Sequence, residues 1–150
     1  MKRIIDKTPQ LFNSLRYGGL SNRTLLMESA VKNNMKLFEF IAQQKLDVSV
    51  VDVFNDNIFH HVVCYNTDEQ SMKMLNLLIN TTDDIKSMIN QQNNSKRTPS
   101  HWAAGKNRHR SIEWLIRHGA DVHMKDFQGN RPDEHSRCDD ETKNIIQRFQ

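Results

Sequence analysis

The sequence predicts an all-α solenoid of about four stacked helix-turn-helix units with β-hairpin tips, closed at each end by a capping helix. Three observations predict it. A marker position recurs at Thr24, Asn57, Thr98 and Arg131, in steps of 33, 41 and 33 residues, and a fixed period of roughly 20–50 residues is the signature of stacked repeats. Each of the first three markers precedes two short apolar stretches of helical spacing. Two residues before each marker stands Asn22, Asn55, Lys96 or Gly129, in a slot that wants positive φ; Lys96 fits it least well.

The elements follow in order. Thr8-Pro9 opens a capping helix over 8–18 that places Leu11, Phe12 and Leu15 on one side and stops at Gly18-Gly19. Repeat 1 covers 19–51, with Thr24 to Ala30 as its first helix and Leu37 to Ile41 in its second. Repeat 2 covers 52–92. It begins at Asn57, carries Met74 to Ile79 in its second helix, and is lengthened by residues 66–70 between its helices and 81–90 after them.

Repeat 3 covers 93–125 and is the clearest unit: Thr98-Pro99-Ser100-His101-Trp102-Ala103-Ala104, then Ser111 to Ile116, then Gly119-Ala120-Asp121-Val122. The Thr hydroxyl caps the first helix, and Pro sits at the first helical position, where the missing N–H costs nothing. Small residues (Ser29-Ala30, Ala103-Ala104) let paired helices approach, and Gly119 closes the second helix in the left-handed conformation. Residues 126–150 form a degenerate fourth repeat and C-terminal cap, in which Asp139 starts a helix carrying Ile145, Ile146 and Phe149.

Repeat 3 resembles the ankyrin repeat, whose fingerprint is a T-P-L-H-x-A-A start, an apolar second helix and G-A-D-V before the next hairpin. The resemblance covers about residues 19–136. It implies a rod of stacked units in which no repeat buries its apolar face alone, and a module that binds protein.

Composition agrees with one ordinary domain. Of 150 residues 37% are hydrophobic and 26% charged, and the net charge of +3 is mild. The start of the chain shows no secretory apolar run, and no stretch approaches the roughly 20 apolar residues that span a bilayer. Cys64 and Cys138 stand in no metal-ligand spacing. The expectation is a soluble protein of reducing compartments, cytoplasmic with the nucleus also open.

Chemistry is hard to find. His60 and His101 fall in the T-P-L-H slot, where the ankyrin resemblance implies a ring bonded to hairpin backbone. The adjacent His61 points to the other side of the helix start, and His109, His118 and His123 do not converge as ligands would. Asp83-Asp84 and Asp139-Asp140 suit helix caps better than acid–base work, and Cys64 suits a buried slot with no base beside it. No glycine-rich phosphate loop occurs among the five glycines. No catalytic group, metal, cofactor or small-molecule substrate is expected.

The expected partner surface is the row of tips with the exposed side of the first helices. Its candidates are Asp52, Phe54, Asn55 and Asp56 in repeat 2, and Asn94, Lys96, Arg97 and Trp102 in repeat 3. Lys125, Phe127 and Gln128 follow at the next tip. Phe54 and Phe127 are the candidate anchors. Trp114 is expected to pack against the outer face. Between Asp47 and Glu69 there are five acids and no Lys or Arg; between Lys96 and Arg117 there are six Lys or Arg and only Glu113. That polarity can orient a dipolar partner. The basic stretch lacks interleaved aromatics and a groove-entering motif, which sets nucleic acid aside.

The succession of a long repeat, Ile89-Asn90-Gln91-Gln92-Asn93-Asn94, Thr98-Pro99, a standard repeat and Asp126-Phe127-Gln128-Gly129-Asn130 resembles the central repeats of IκB proteins, the inhibitors of NF-κB/Rel transcription factors. No D-S-G-x-x-S phospho-degron or acidic tail occurs in the sequence. In that respect it is similar to the polydnavirus vankyrins, truncated viral IκB-like proteins. The resemblance implies sequestration of Rel dimers and suppression of host immune signalling, with the acidic first repeats on the basic localisation segment and later tips on the dimerisation domain. An ankyrin adaptor or scaffold subunit for an unrelated partner is the alternative.

Overall fold

The computed structural model describes residues 11–150 except 13, 18 and 45. Among the described residues, 11, 12 and 14 are helical, and the helices described end to end are α1 (Leu25–Val31), α2 (Met35–Ala42), α3 (Ile58–Tyr65), α4 (Asp68–Leu78), α5 (Ile85–Ile89), α6 (Pro99–Gly105), α7 (His109–Arg117) and α8 (Asp140–Arg148). Strands β1 (Arg16–Tyr17) and β2 (Arg23–Thr24) pair antiparallel, Arg16 opposite Thr24, around a 3-10 turn at Gly19–Ser21. A second 3-10 turn spans Pro132–Glu134.

Helices begin where a short polar side chain takes up their first free amides. Thr24 Oγ1 accepts from Met27 N at 3.2 Å, Asn57 Oδ1 from Phe59 N at 3.0 Å, and Asp139 Oδ1 from Thr142 N at 2.8 Å. Asp84 caps α5 in the same way. Thr98 forms a reciprocal capping box with His101: its side chain faces the His101 amide, and its hydroxyl and N–H both lie against His101 Nδ1, at 2.9 and 3.1 Å.

The helices form two layers. α1, α3 and α6 stack on one another, with the Pro132–Glu134 turn next in line, while α2, α4, α7 and α8 stack beside them. Phe38, Ile41, Phe59, Met74, Leu75, Ile112, Leu115 and Ile146 lie fully buried between the layers. Each such side chain stabilises by roughly 1.5–3 kcal/mol through its removal from water. Ser29, Ala30, Ala103 and Ala104, the predicted close-contact residues, are all buried.

Several boundaries differ from the sequence reading. The capping helix predicted over 8–18 does not reach its end, because residues 16–17 are extended and find their hydrogen bonds in β2. Thr8-Pro9 lies outside the described residues. Residues 68–70 belong to α4, since Thr67 caps that helix through Gln70 N and leaves only a two-residue link after α3. The other predicted insertion, 81–90, folds into α5, whose Met88 and Ile89 are buried. Asn90 then donates to Gly119 O (2.9 Å) and accepts from Asp121 N (2.7 Å), which docks the insertion on the end of repeat 3. Gly119 has φ +98°, as its closing role requires. Phe149 lies just beyond α8, 41% exposed beneath the Arg117 guanidinium, while Ile145 and Ile146 face the core.

Candidate protein-binding surface

Four successive tips line one side of the stack, and each is shaped by one left-handed residue: Asn22 (φ 53°), Asn55 (63°), Lys96 (55°) and Gly129 (82°). One backbone hydrogen bond joins each tip to the next. Val53 N donates to Ser21 O (3.2 Å), Asn94 N to Phe54 O (2.9 Å) and Phe127 N to Ser95 O (2.9 Å). The predicted β-hairpin is therefore a strand pair only at the first tip; among the described residues the others are tight turns, each closed by two internal backbone bonds such as Asp52 N to Asp56 O and Asn55 N to Asp52 O.

Inside each of the last three tips one side chain accepts two amides. Asp52 Oδ1 takes Phe54 N and Asp56 N, Asn93 Oδ1 takes Ser95 N and Arg97 N, and Asp126 Oδ1 takes Gln128 N and Asn130 N, all at 2.9–3.0 Å. Asp52 also accepts from His61 Nε2 at 3.0 Å and is buried. Burial pushes its carboxyl up, but the bonds from His61 and from the tip amides outweigh that and hold it below the ordinary aspartate value. Asp52, expected on the partner surface, is thus a staple inside the tip, and no partner reaches it.

The histidines of the T-P-L-H slot join the floor of each tip to the next. His60 Nδ1 accepts from Asn57 N (3.1 Å) and Nε2 donates to Arg97 O (3.0 Å). His101 repeats this with Thr98 N (3.1 Å) and Asn130 O (3.1 Å). Both rings are buried, and burial lowers their pKa, to about 4 at His60. A neutral ring suits a site that needs one acceptor and one donor.

The remaining predicted residues divide by exposure. Phe54 is 55% and Phe127 77% exposed, so neither folds back onto its own turn. Lys96, Lys125 and Gln128 are exposed. Asn55 and Asp56 are half-buried: Asn55 Nδ2 donates to Gln92 O and Asp56 accepts from Asn93 Nδ2, so both mainly bind one tip to the next. Asn94 is exposed and ties its amide to Val53 O. Arg97 is half-buried, its guanidinium 5.5 Å from the centre of the half-buried Trp102 ring. Trp114 packs into the outer layer and donates Nε1–H to Asn76 Oδ1 at 3.0 Å. A depression of about 360 Å³ separates the third and fourth tips, lined by Asn94, Ser95, Arg97, Asp126, Phe127 and Gln128.

Sequence reasoning missed Leu20 and Val53, which are 97% and 48% exposed. The signal was available. Leu20, Val53 and Phe127 all stand two residues before the left-handed residue of their tip, the position that faces outward. With Phe54 they make an apolar row along the tips, and clustered exposed apolar groups mark interaction sites.

The arrangement holds no catalytic constellation among the described residues. Asp52, Asp56 and His61 bring ligand atoms within 4.8 Å of one another, but their oxygens already serve the tip amides, His61 and Asn93. Cys64 is half-buried and burial pushes its thiol up, away from nucleophilic use. No described helix is long and apolar enough to cross a membrane.

A family model of ankyrin repeats in three copies matches residues 13–126. That span holds the three complete helix pairs and ends at the first residue of the fourth tip. No curated protein matches the chain. The ankyrin repeat is a non-enzymatic fold that binds proteins. The chain belongs to the ankyrin-repeat family.

Proposed function

We propose that this ankyrin module is an IκB-like inhibitor that binds NF-κB/Rel dimers and holds them in the cytoplasm, suppressing immune signalling. The observation that carries the reading is the order of its parts. A lengthened second repeat is followed by the Gln91-Gln92-Asn93-Asn94 tip, a standard repeat, and the Asp126-Phe127-Gln128-Gly129-Asn130 tip. Phe54 and Phe127 stand exposed on this row as anchors. Five acids with no Lys or Arg between Asp47 and Glu69, and six Lys or Arg against Glu113 alone between Lys96 and Arg117, give two segments of opposite charge to match a dipolar partner.

One finding favours the second reading, an adaptor for an unrelated protein. Asp52, Asp56 and Asp68 are already engaged by groups of the chain itself, which leaves less acid free for a basic localisation segment. Calorimetric titration of the chain into a Rel dimer decides between the two. The inhibitor reading expects saturable binding at or below micromolar concentration; no heat of binding in that range leaves the adaptor.

A further inference from the structure

Repeat 3 carries a second hollow, of about 330 Å³, where α6 faces the Pro132–Glu134 turn and the residues after it. Arg97, Trp102, Gly105, Lys106, His135 and Arg137 line it, and no acidic side chain does. Gly105 matters to its shape. A Cβ there would stand 3.3 Å from the His135 ring, so the ring rests against the helix backbone at the floor.

Two hydrogen-bonding groups at the hollow are left wanting. Trp102 Nε1 is buried with no partner among the described residues, whereas the only other indole, Trp114, donates to Asn76. Unpaired buried donors are uncommon and call for a reason. The Arg97 guanidinium, above the same ring, makes one side-chain bond among the described residues, Nε to Asp126 Oδ2 at 3.4 Å. That is long beside the roughly 2.7–2.9 Å of a good charge-assisted pair. The excess of positive charge is felt at His135, whose pKa is lowered by burial and then by Arg97 and Arg137.

We propose that this hollow is an anion subsite that receives an acidic side chain, a carboxylate or a phosphorylated residue, from the bound protein partner. Arg97 and Arg137 grip the anion, Lys106 closes the rim, and the Trp102 ring beneath Arg97 holds that guanidinium at the hollow. The proposal rests on the chain being a protein-binding module and is independent of which protein it holds. One indole without further stacking surfaces does not suit single-stranded nucleic acid.

Calorimetric titration of the full chain tests it, with four probes: acetylated hexaglutamate amide, a phosphoserine peptide of the same length, hexalysine and an oligothymidylate. Saturable binding of an acidic peptide is expected, with the tighter of the two naming the anion. Arg97→Gln with Arg137→Gln weakens it about tenfold, and Trp102→Phe, which offers Arg97 a weaker cation–π partner, by about threefold. Lys36→Gln with Arg148→Gln removes the same charge elsewhere and leaves affinity within about twofold. Circular dichroism verifies that each variant is folded, and the arginine pair decides alone if Trp102→Phe is not. The proposal is overturned if neither acidic peptide saturates, if the distant pair weakens binding as much as the arginine pair, or if oligothymidylate binds more tightly than both peptides. The peptides contain no Rel sequence, so peptide binding without Rel binding removes only the inhibitor reading. Rel binding without peptide binding removes only this subsite.

Discussion

At His60 a single ring decides how the tips respond to acid. Its Nδ1 must accept from Asn57 N while its Nε2 donates to Arg97 O, and protonation removes the acceptor. Burial lowers the folded pKa to about 4 from the ordinary 6.5, so between those values the unfolded chain binds the extra proton and the folded chain does not. The stability this ring contributes is whole above pH 6.5 and is lost as pH falls toward 4, a change on the order of 3 kcal/mol. His101, shifted the same way, adds to it. Urea midpoints should fall steadily from pH 7 to 4.5, and His60→Gln should flatten that slope while lowering the midpoint at pH 7. Asp52 acts in another window. Its lowered carboxyl contributes above pH 3.8 and loses that contribution only below it. Asp52→Ala removes the acceptor for two amides and for His61, and should cost about 2–4 kcal/mol at pH 7. The sequence placed Asp52 among exposed residues because its spacing to Asn55 resembles any polar turn. That its oxygen turns inward onto amides two and four residues ahead depends on how the whole tip closes and on His61 behind it, which the residue types alone do not reveal.

Elements show which parts of a repeat are legible and which are not. Turn slots were legible because they depend on local backbone: Asn22, Asn55, Lys96 and Gly129 all adopt positive φ where the spacing puts them. Lys96 is the misfit, and Lys96→Gly should raise the unfolding free energy by about 1 kcal/mol, read as a higher urea midpoint, since glycine bears no steric penalty there. Caps from other repeats were not legible. Arg108, before α7, caps nothing with its side chain; Asp68 does so from α4, accepting from Arg110 N (2.8 Å) and Ser111 N (2.9 Å). A partner more than forty residues away leaves no local pattern. Asp68→Ala should therefore destabilise repeat 3 by roughly 1–2 kcal/mol, although the residue lies in repeat 2. Hydrogen exchange should quicken at the start of α7 more than in α4 around residue 68. The insertion at 81–90 was visible as extra length, but α5 and its docking through Asn90 on Gly119 and Asp121 need the neighbouring repeat in place.

The molecule as a whole is a row of tips held by a pile of helix pairs, and its function follows from what the pile leaves uncovered. Phe54 and Phe127 were recognisable as large apolar groups at turn positions; Leu20 and Val53 share Phe127's place two residues before the left-handed slot, a signal that shows when the tip sequences are compared with one another. Charge was less informative, because three of the acids that make the first repeats acidic are spent on internal bonds. Apolar anchors on the tips, more than net charge, are then expected to carry partner affinity. The direct measurement is the affinity of a Rel dimer for the chain, for the pair Phe54→Ala with Phe127→Ala, and for Phe40→Ala, an aromatic of similar exposure (54%) on α2. The account predicts about a hundredfold loss for the tip pair, some 2–3 kcal/mol, and a change within about twofold for Phe40→Ala. Unchanged affinity in the tip pair, or an equal loss from Phe40→Ala, contradicts it.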